Sequence, residues 1–217
     1  MKKIIAILVA LISTTTIMMA QSGKSSKEIR QQYFVFGPTV GLSMPYQHVV
    51  TNTTALSQLL GGPNVGMQLG GFARGMLPLK KTKIVLYAQL DAAWVMDFYF
   101  GGGSSASAGC FNFPLTVGGG YKLSNDTMLR IACGPTLTAN VYTSANTAFK
   151  DSDNKYQSEV AEMLNRNRWG WMALIGADYK DWTFDLRYMN QFSSEAYNRI
   201  ADECRFISLG LSVGYKF

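Results

Sequence analysis

From residue 33 to its end the chain alternates apolar with polar or small positions at a period of two. It does so in eight stretches: 33–44, 64–76, 83–98, 110–122, 127–142, 168–179, 182–192 and 205–217. Period two predicts β-strands whose two faces meet different surroundings. In the last stretch Ile207, Leu209, Leu211, Val213, Tyr215 and Phe217 share one face, while Phe206, Ser208, Gly210, Ser212, Gly214 and Lys216 share the other. In the third, Leu86, Ala88, Leu90, Ala92, Trp94, Met96 and Phe98 oppose Val85, Tyr87, Gln89, Asp91, Ala93, Val95 and Asp97. The second face in each case is small and sparsely charged, which suits a narrow lumen better than a surface in water.

The connections alternate as well. Long polar ones (45–63, 99–109, 143–167, 193–204) trade places with short ones (77–82, 123–126, 180–181). Transmembrane barrels have short turns on the periplasmic side and long loops outside. The pattern therefore predicts an all-β fold, an eight-stranded antiparallel up-and-down transmembrane β-barrel with both termini periplasmic. One helix is expected in the third long loop, at about 156–165. The outward register places Phe34, Tyr121, Tyr179, Tyr215 and Trp182 near the short-turn rim, and Phe98, Phe111, Trp169, Trp171 and Phe192 near the other. Two aromatic girdles are what a bilayer requires and a soluble barrel does not.

Composition agrees. Charged residues make up 16% and aromatics 12% of 217 residues, too few charges to coat a soluble surface. Lys2 and Lys3, the apolar run Ile4–Ile12 and the exit Met18-Met19-Ala20 read as a secretory signal peptide cleaved between Ala20 and Gln21. Residues 1–20 are thus the signal, 21–32 a polar periplasmic lead-in and 33–217 the barrel domain. Without Lys2 and Lys3 the formal charge of +6 falls to +4, with no basic stripe of the kind nucleic acid needs. The expected setting is the outer membrane of a Gram-negative bacterium, with its lipid and the barrel-assembly machinery as partners.

Eight strands leave room for little beyond their own side chains. Gln68, Arg74, Gln89, Asp91, Arg130, Asp178, Asp185 and Arg187 all project inward on the predicted registers, where unpaired charges would be costly. They are expected to neutralise one another as a polar network. His48 is the only histidine and has no Cys, Asp or Glu at ligand spacing beside it. No Ser-His-carboxylate trio of the kind a lipid A-modifying barrel enzyme needs is marked. The expectation is a non-enzymatic protein with no catalytic residue, metal or cofactor. Cys110 and Cys204 sit at outer strand ends and could be bridged if a loop folded across the mouth, whereas Cys133 faces lipid. "FYFGGGSSASAGC" reads as an external loop and "TVGGGY" as close-packed wall.

"FNFPLTVGGGYKL" (111–123), "RIACGPTLTANV" (130–141), "FDLRYMNQF" (184–192) and "SLGLSVGYKF" (208–217) resemble the fourth, fifth, seventh and eighth strands of the small outer-membrane β-barrel family that includes PorT. Met189-Asn190-Gln191 and Cys133 depart from that pattern. The resemblance implies an outer-membrane barrel and, through PorT, a link to type IX protein secretion. It leaves two non-enzymatic roles, an envelope scaffold or protein-binding component and a secretion component. The closing Phe217, with Tyr215, Val213, Leu211 and Leu209 behind it, also resembles the C-terminal signal by which such barrels are recognised for insertion.

Overall fold

The computed structural model describes residues 34–50, 64–79, 82–101, 104–146, 167–192 and 203–217. The signal peptide with its cleavage point, the lead-in up to residue 33 and the 156–165 helix lie outside the described residues. Eight strands follow one another: β1 (Phe34–Val50), β2 (Val65–Pro78), β3 (Ile84–Gly101), β4 (Ser104–Lys122), β5 (Thr127–Asn146), β6 (Arg168–Tyr179), β7 (Trp182–Gln191) and β8 (Glu203–Tyr215). Each pairs antiparallel with its neighbour in the chain, and β8 closes on β1, so the sheet is a complete barrel without an edge in its wall. Closure is what allows strands to cross hydrocarbon, because every backbone group in the wall then has a partner.

The outer face carries Val40, Leu42, Leu69, Leu115, Val117, Ile131, Ile175, Leu186 and Leu211, all exposed. Phe34, Tyr121, Tyr179, Trp182 and Tyr215 ring the short-turn end, and Phe111, Trp169, Trp171 and Phe192 the opposite end. Phe98 is half-buried. Trp94 packs edge-on against Phe111 at 4.9 Å, and Trp182 against Tyr215 at 5.4 Å. Tyr121 and Phe111, both on β4, mark the two girdles, and the tilted strand between them spans roughly the 25 Å apolar band of a membrane barrel. The chain is a transmembrane β-barrel by this belt.

Several strands run well past the ends that alternation predicted. β1 continues to Val50, β3 to Gly101 and β5 to Asn146, while β4 begins at Ser104 and β8 at Glu203. The glycine-rich stretch expected to be a loop is largely a β-hairpin, with Phe98 opposite Ser107 and Phe100 opposite Ser105. The cue failed there because above the girdle neither face meets lipid. On the β4 arm serine, alanine and glycine then fill both faces, with Ala106 and Ala108 buried inside, and its backbone ladder continues without a hydrophobic signature. A bulge at Gly109/Cys110 leaves one extra residue on β5, so Val141 and Tyr142 both face outward.

The seam is also staggered. β8 pairs with Thr39–Val50, while Phe34–Ser43 pairs with β2. Strand tilt in a closed barrel demands such an offset. Lys180 adopts a left-handed φ of 51° in the two-residue turn joining β6 and β7, the geometry that matches strand twist in a tight hairpin. The seam ends on Phe217, whose N–H donates to the Phe36 carbonyl at 2.9 Å and whose ring lies 5.8 Å from Phe36 and 5.3 Å from Tyr215. Removing Phe217 is expected to lower the assembled level in membranes by more than the loss of this 63%-exposed side chain suggests. An unchanged level of heat-modifiable barrel on gels would show that the resemblance to an assembly signal is accidental.

Candidate functional site

The inward positions of β2, β3, β5, β6 and β7 meet in the half of the lumen nearer the short turns. Arg74 Nη1 donates to Asp178 Oδ2 at 2.8 Å, and Arg130 Nε to Asp178 Oδ1 at 2.9 Å. Arg130 Nη2 reaches Asp185 Oδ1 at 2.5 Å, while Arg187 Nη2 bridges Asp185 Oδ2 at 3.1 Å and Asp91 Oδ1 at 2.9 Å. Gln89 closes the loop, donating to Asp91 Oδ2 at 3.0 Å and accepting from Arg74 Nε at 2.8 Å. The result is a closed circuit of three guanidiniums, three carboxylates and one amide. Its members are almost fully buried, and their charges cancel, as burial requires.

Seven of the eight residues expected to form a polar network make up this circuit. Gln68 does not join it: it lies higher, and its Nε2 has no hydrogen-bond partner among the described residues. Thr183, which accepts from Arg130 Nη2, and Lys216, whose Nζ lies 3.5 Å from Asp178 Oδ2, touch the circuit from its short-turn edge, although neither was among the eight expected residues. Both stand at inward positions, so parity was the available signal. Tyr87 adds its ring, 5.5 Å from the Arg74 guanidinium and 5.8 Å from that of Arg130. Gly176 makes room below, since a side chain there would collide with Asp185 and Arg130.

Above the circuit lies a second, looser polar layer around Asp97 and Arg168. Asp97 accepts from Ser43 Oγ at 3.4 Å and from Tyr99 Oη at 3.5 Å, both long bonds. Arg168 stacks over Phe206, 4.2 Å from its ring centre, and donates to Asn140 Oδ1 at 3.5 Å. Gln191 Nε2 donates to Thr138 Oγ1 at 2.7 Å, and Thr138 in turn donates to Asn112. A cavity of about 30 Å³ lies among Asp97, Cys110, Asn112, Arg168 and Gln191, room for a few waters at most. With Val85, Tyr87, Met128 and Leu174 also buried inside, the lumen is a filled plug and not an open pore.

The Cys110–Cys204 bridge is not formed. Cys110 is a free, buried thiol on β4, across the ring from β8, and Cys133 is an exposed one on the outer wall. The side chains of Cys204 and His48 lie outside the described residues. Among the described residues no group of three His, Cys, Asp or Glu stands together in a way that could hold a metal ion.

No family model matches the sequence, and no curated protein does either. Among solved structures the chain is similar to Ail, the attachment invasion locus protein of Yersinia pestis, with a TM-score of 0.42 and 11% identity over 86% of this chain and 100% of that one. It is also similar to the outer membrane enzyme PagL, with a TM-score of 0.48 and 12% identity over 80% of this chain and 97% of that one. A de novo designed transmembrane β-barrel gives 0.32 and 13% over 83% and 95%.

Proposed function

We propose that this protein is a non-enzymatic outer-membrane barrel that serves as an envelope scaffold, binding another protein at its long-loop rim. The observation that carries this reading is the unequal length of the strands. A barrel strand needs about 9–11 residues to cross the hydrocarbon, and β6 and β7, with 12 and 10 residues, just do so. β3, β4 and β5, with 18, 19 and 20 residues, continue beyond it as a hydrogen-bonded sheet. That platform shows Phe100 at 53% exposure beyond the girdle, with Val141 and Tyr142 at 59% and 51% on its lower edge, level with Cys110 and Gly109, and exposed apolar side chains at a rim mark an interaction surface. The filled lumen favours a binding role over transport.

In this reading the short turns and both termini face the periplasm, and barrel-assembly machinery inserts the chain. A crosslinked pull-down from outer membranes tests it. Wild type is expected to retain a partner that an unrelated barrel does not, and the Phe100→Ser/Tyr142→Ser variant to lose most of it. Equal recovery by both forms would sink the platform as the binding surface. The stretches at 111–123, 130–141, 184–192 and 208–217 that resemble the PorT family favour a second reading, in which the partner belongs to type IX secretion. Unchanged secreted proteins in a deletion strain would remove that reading and leave the scaffold. A lipid A-modifying enzyme predicts an altered lipid A mass spectrum in the same strain, and none is expected.

A further inference from the structure

Gln68, the expected network member that the charge circuit leaves out, lines a second and smaller cavity, which Arg187 of the circuit also lines. The cavity holds about 10 Å³, room for one water-sized body. It abuts the larger cavity around Asp97, because Ser43, Gln68, Asn112 and Ser208 line both. Three of its lining side chains are short of an acceptor. Gln68 Nε2 and Arg187 Nε have no hydrogen-bond partner among the described residues. Asn112 is oriented by a relay: Gln191 Nε2 donates to Thr138 Oγ1, whose own proton then goes to Asn112 Oδ1. That leaves Asn112 Nδ2 over the Met189 thioether at 3.9 Å, a weak acceptor. Gln68, Asn112 and Arg187 are 8%, 4% and 5% exposed, so bulk water does not satisfy them, and an unpaired buried donor is costly.

The lining decides what satisfies these donors. No carboxylate borders the cavity. A water would accept from the three N–H groups but find no carboxylate for its own protons, whereas an anion needs none. The surrounding charge has the matching sign. Arg74, Arg130, Arg187 and Lys216 stand against Asp91, Asp178 and Asp185, one positive charge in excess, while Arg168 balances Asp97 above them. An oxyanion such as sulfate is too large for the space. Met172 and Met189, also in the lining, are flexible enough to yield the little more that a halide needs than a water.

We propose that this cavity is a binding site for a single halide ion, chloride in the ordinary case, held by Gln68 Nε2, Asn112 Nδ2 and Arg187 Nε. The ion joins Gln68 to the charge circuit through Arg187, and the larger cavity around Asp97 is its way in from the long-loop side. The site does not depend on the platform or on any partner bound there.

Equilibrium dialysis of the detergent-released barrel against radiolabelled chloride tests it, with empty micelles as blank and excess sodium sulfate to occupy the surface lysines. Wild type is expected to retain one chloride per barrel, and bromide to displace it. Gln68→Met, which removes a donor while nearly keeping its volume, is expected to weaken retention about tenfold or more, the worth of one hydrogen bond to a charged group. Asn112→Asp, which puts a carboxylate in the lining, is expected to abolish it. Heat-modifiable migration on gels shows that each variant is folded. No retention by wild type overturns the ion and leaves the cavity to water. Retention that sulfate removes, or that folded Gln68→Met keeps at the wild-type level, places the ion elsewhere and overturns the site.

Discussion

Asp178→Ala is expected to cost about 3–5 kcal/mol of folding stability, the range for leaving a buried charge without its partner. The cost is high because this one carboxylate accepts from Arg74 at 2.8 Å and from Arg130 at 2.9 Å, with Lys216 at 3.5 Å. Without it, Arg74 keeps as hydrogen-bond partners among the described residues Gln89 and, at long range, Thr183, and the lumen carries an uncompensated positive charge. Arg130→Met is expected to cost clearly less. Asp178 then still accepts from Arg74, and Asp185 from Arg187 at 3.1 Å, while the methionine refills the volume. Urea unfolding in detergent, read from the heat-modifiable gel band, gives both values. If Asp178→Ala unfolds no earlier than Arg130→Met, the circuit is not organised around Asp178.

The second large effect lies on the opposite face of the wall. Leu211 is 65% exposed and stands in an outward row with Leu42 on β1 and Leu186 on β7, four residues above the girdle residue Tyr215. Leu211→Arg places a charge near the middle of the hydrocarbon, at a cost of roughly 2–4 kcal/mol. It falls on the strand that must close the barrel, so the expected outcome is a strong loss of assembled protein from the membrane fraction. Leu211→Phe, which keeps the face apolar, is expected to assemble normally. Equal levels of the two would place position 211 away from lipid and reject the register of β8.

These predictions differ in how they could be reached. The row containing Leu211 was legible in the sequence, because a side chain's face on a strand depends only on parity and the bilayer enforces parity strictly. The same rule placed Arg74, Gln89, Asp91, Arg130, Asp178, Asp185 and Arg187 in one lumen. It did not say which guanidinium meets which carboxylate. Four of the five pairings join residues 48 to 104 positions apart and depend on the stagger between strands, while Arg187 and Asp185 are neighbours on one face of β7. Gln68 shows the consequence: its parity is inward, yet shear places it above the circuit. Thr183 and Lys216 show the converse, entering the circuit by height as well as by parity. Cys110 was legible as a strand residue, but whether it could meet a second thiol depended on where the ring placed β4 and β8.

The strand ends show the same division. Alternation located every crossing because lipid on one side and a packed lumen on the other force apolar and small residues to take turns. It fell silent beyond the girdle, where Ser104–Gly109 pairs with Met96–Gly101 and Ser105–Gly109 with Tyr142–Asn146 by backbone hydrogen bonds that carry no side-chain signature. The amino-acid sequence by itself therefore determined the number of strands, their faces, their up-and-down order and the polar content of the lumen, all of which follow from local periodicity. Only the tertiary structure decided the shear of the β1–β8 seam, the closed charge circuit and the projecting β3–β5 platform. Each of these depends on the relative height of strands around a closed ring, which no single strand encodes.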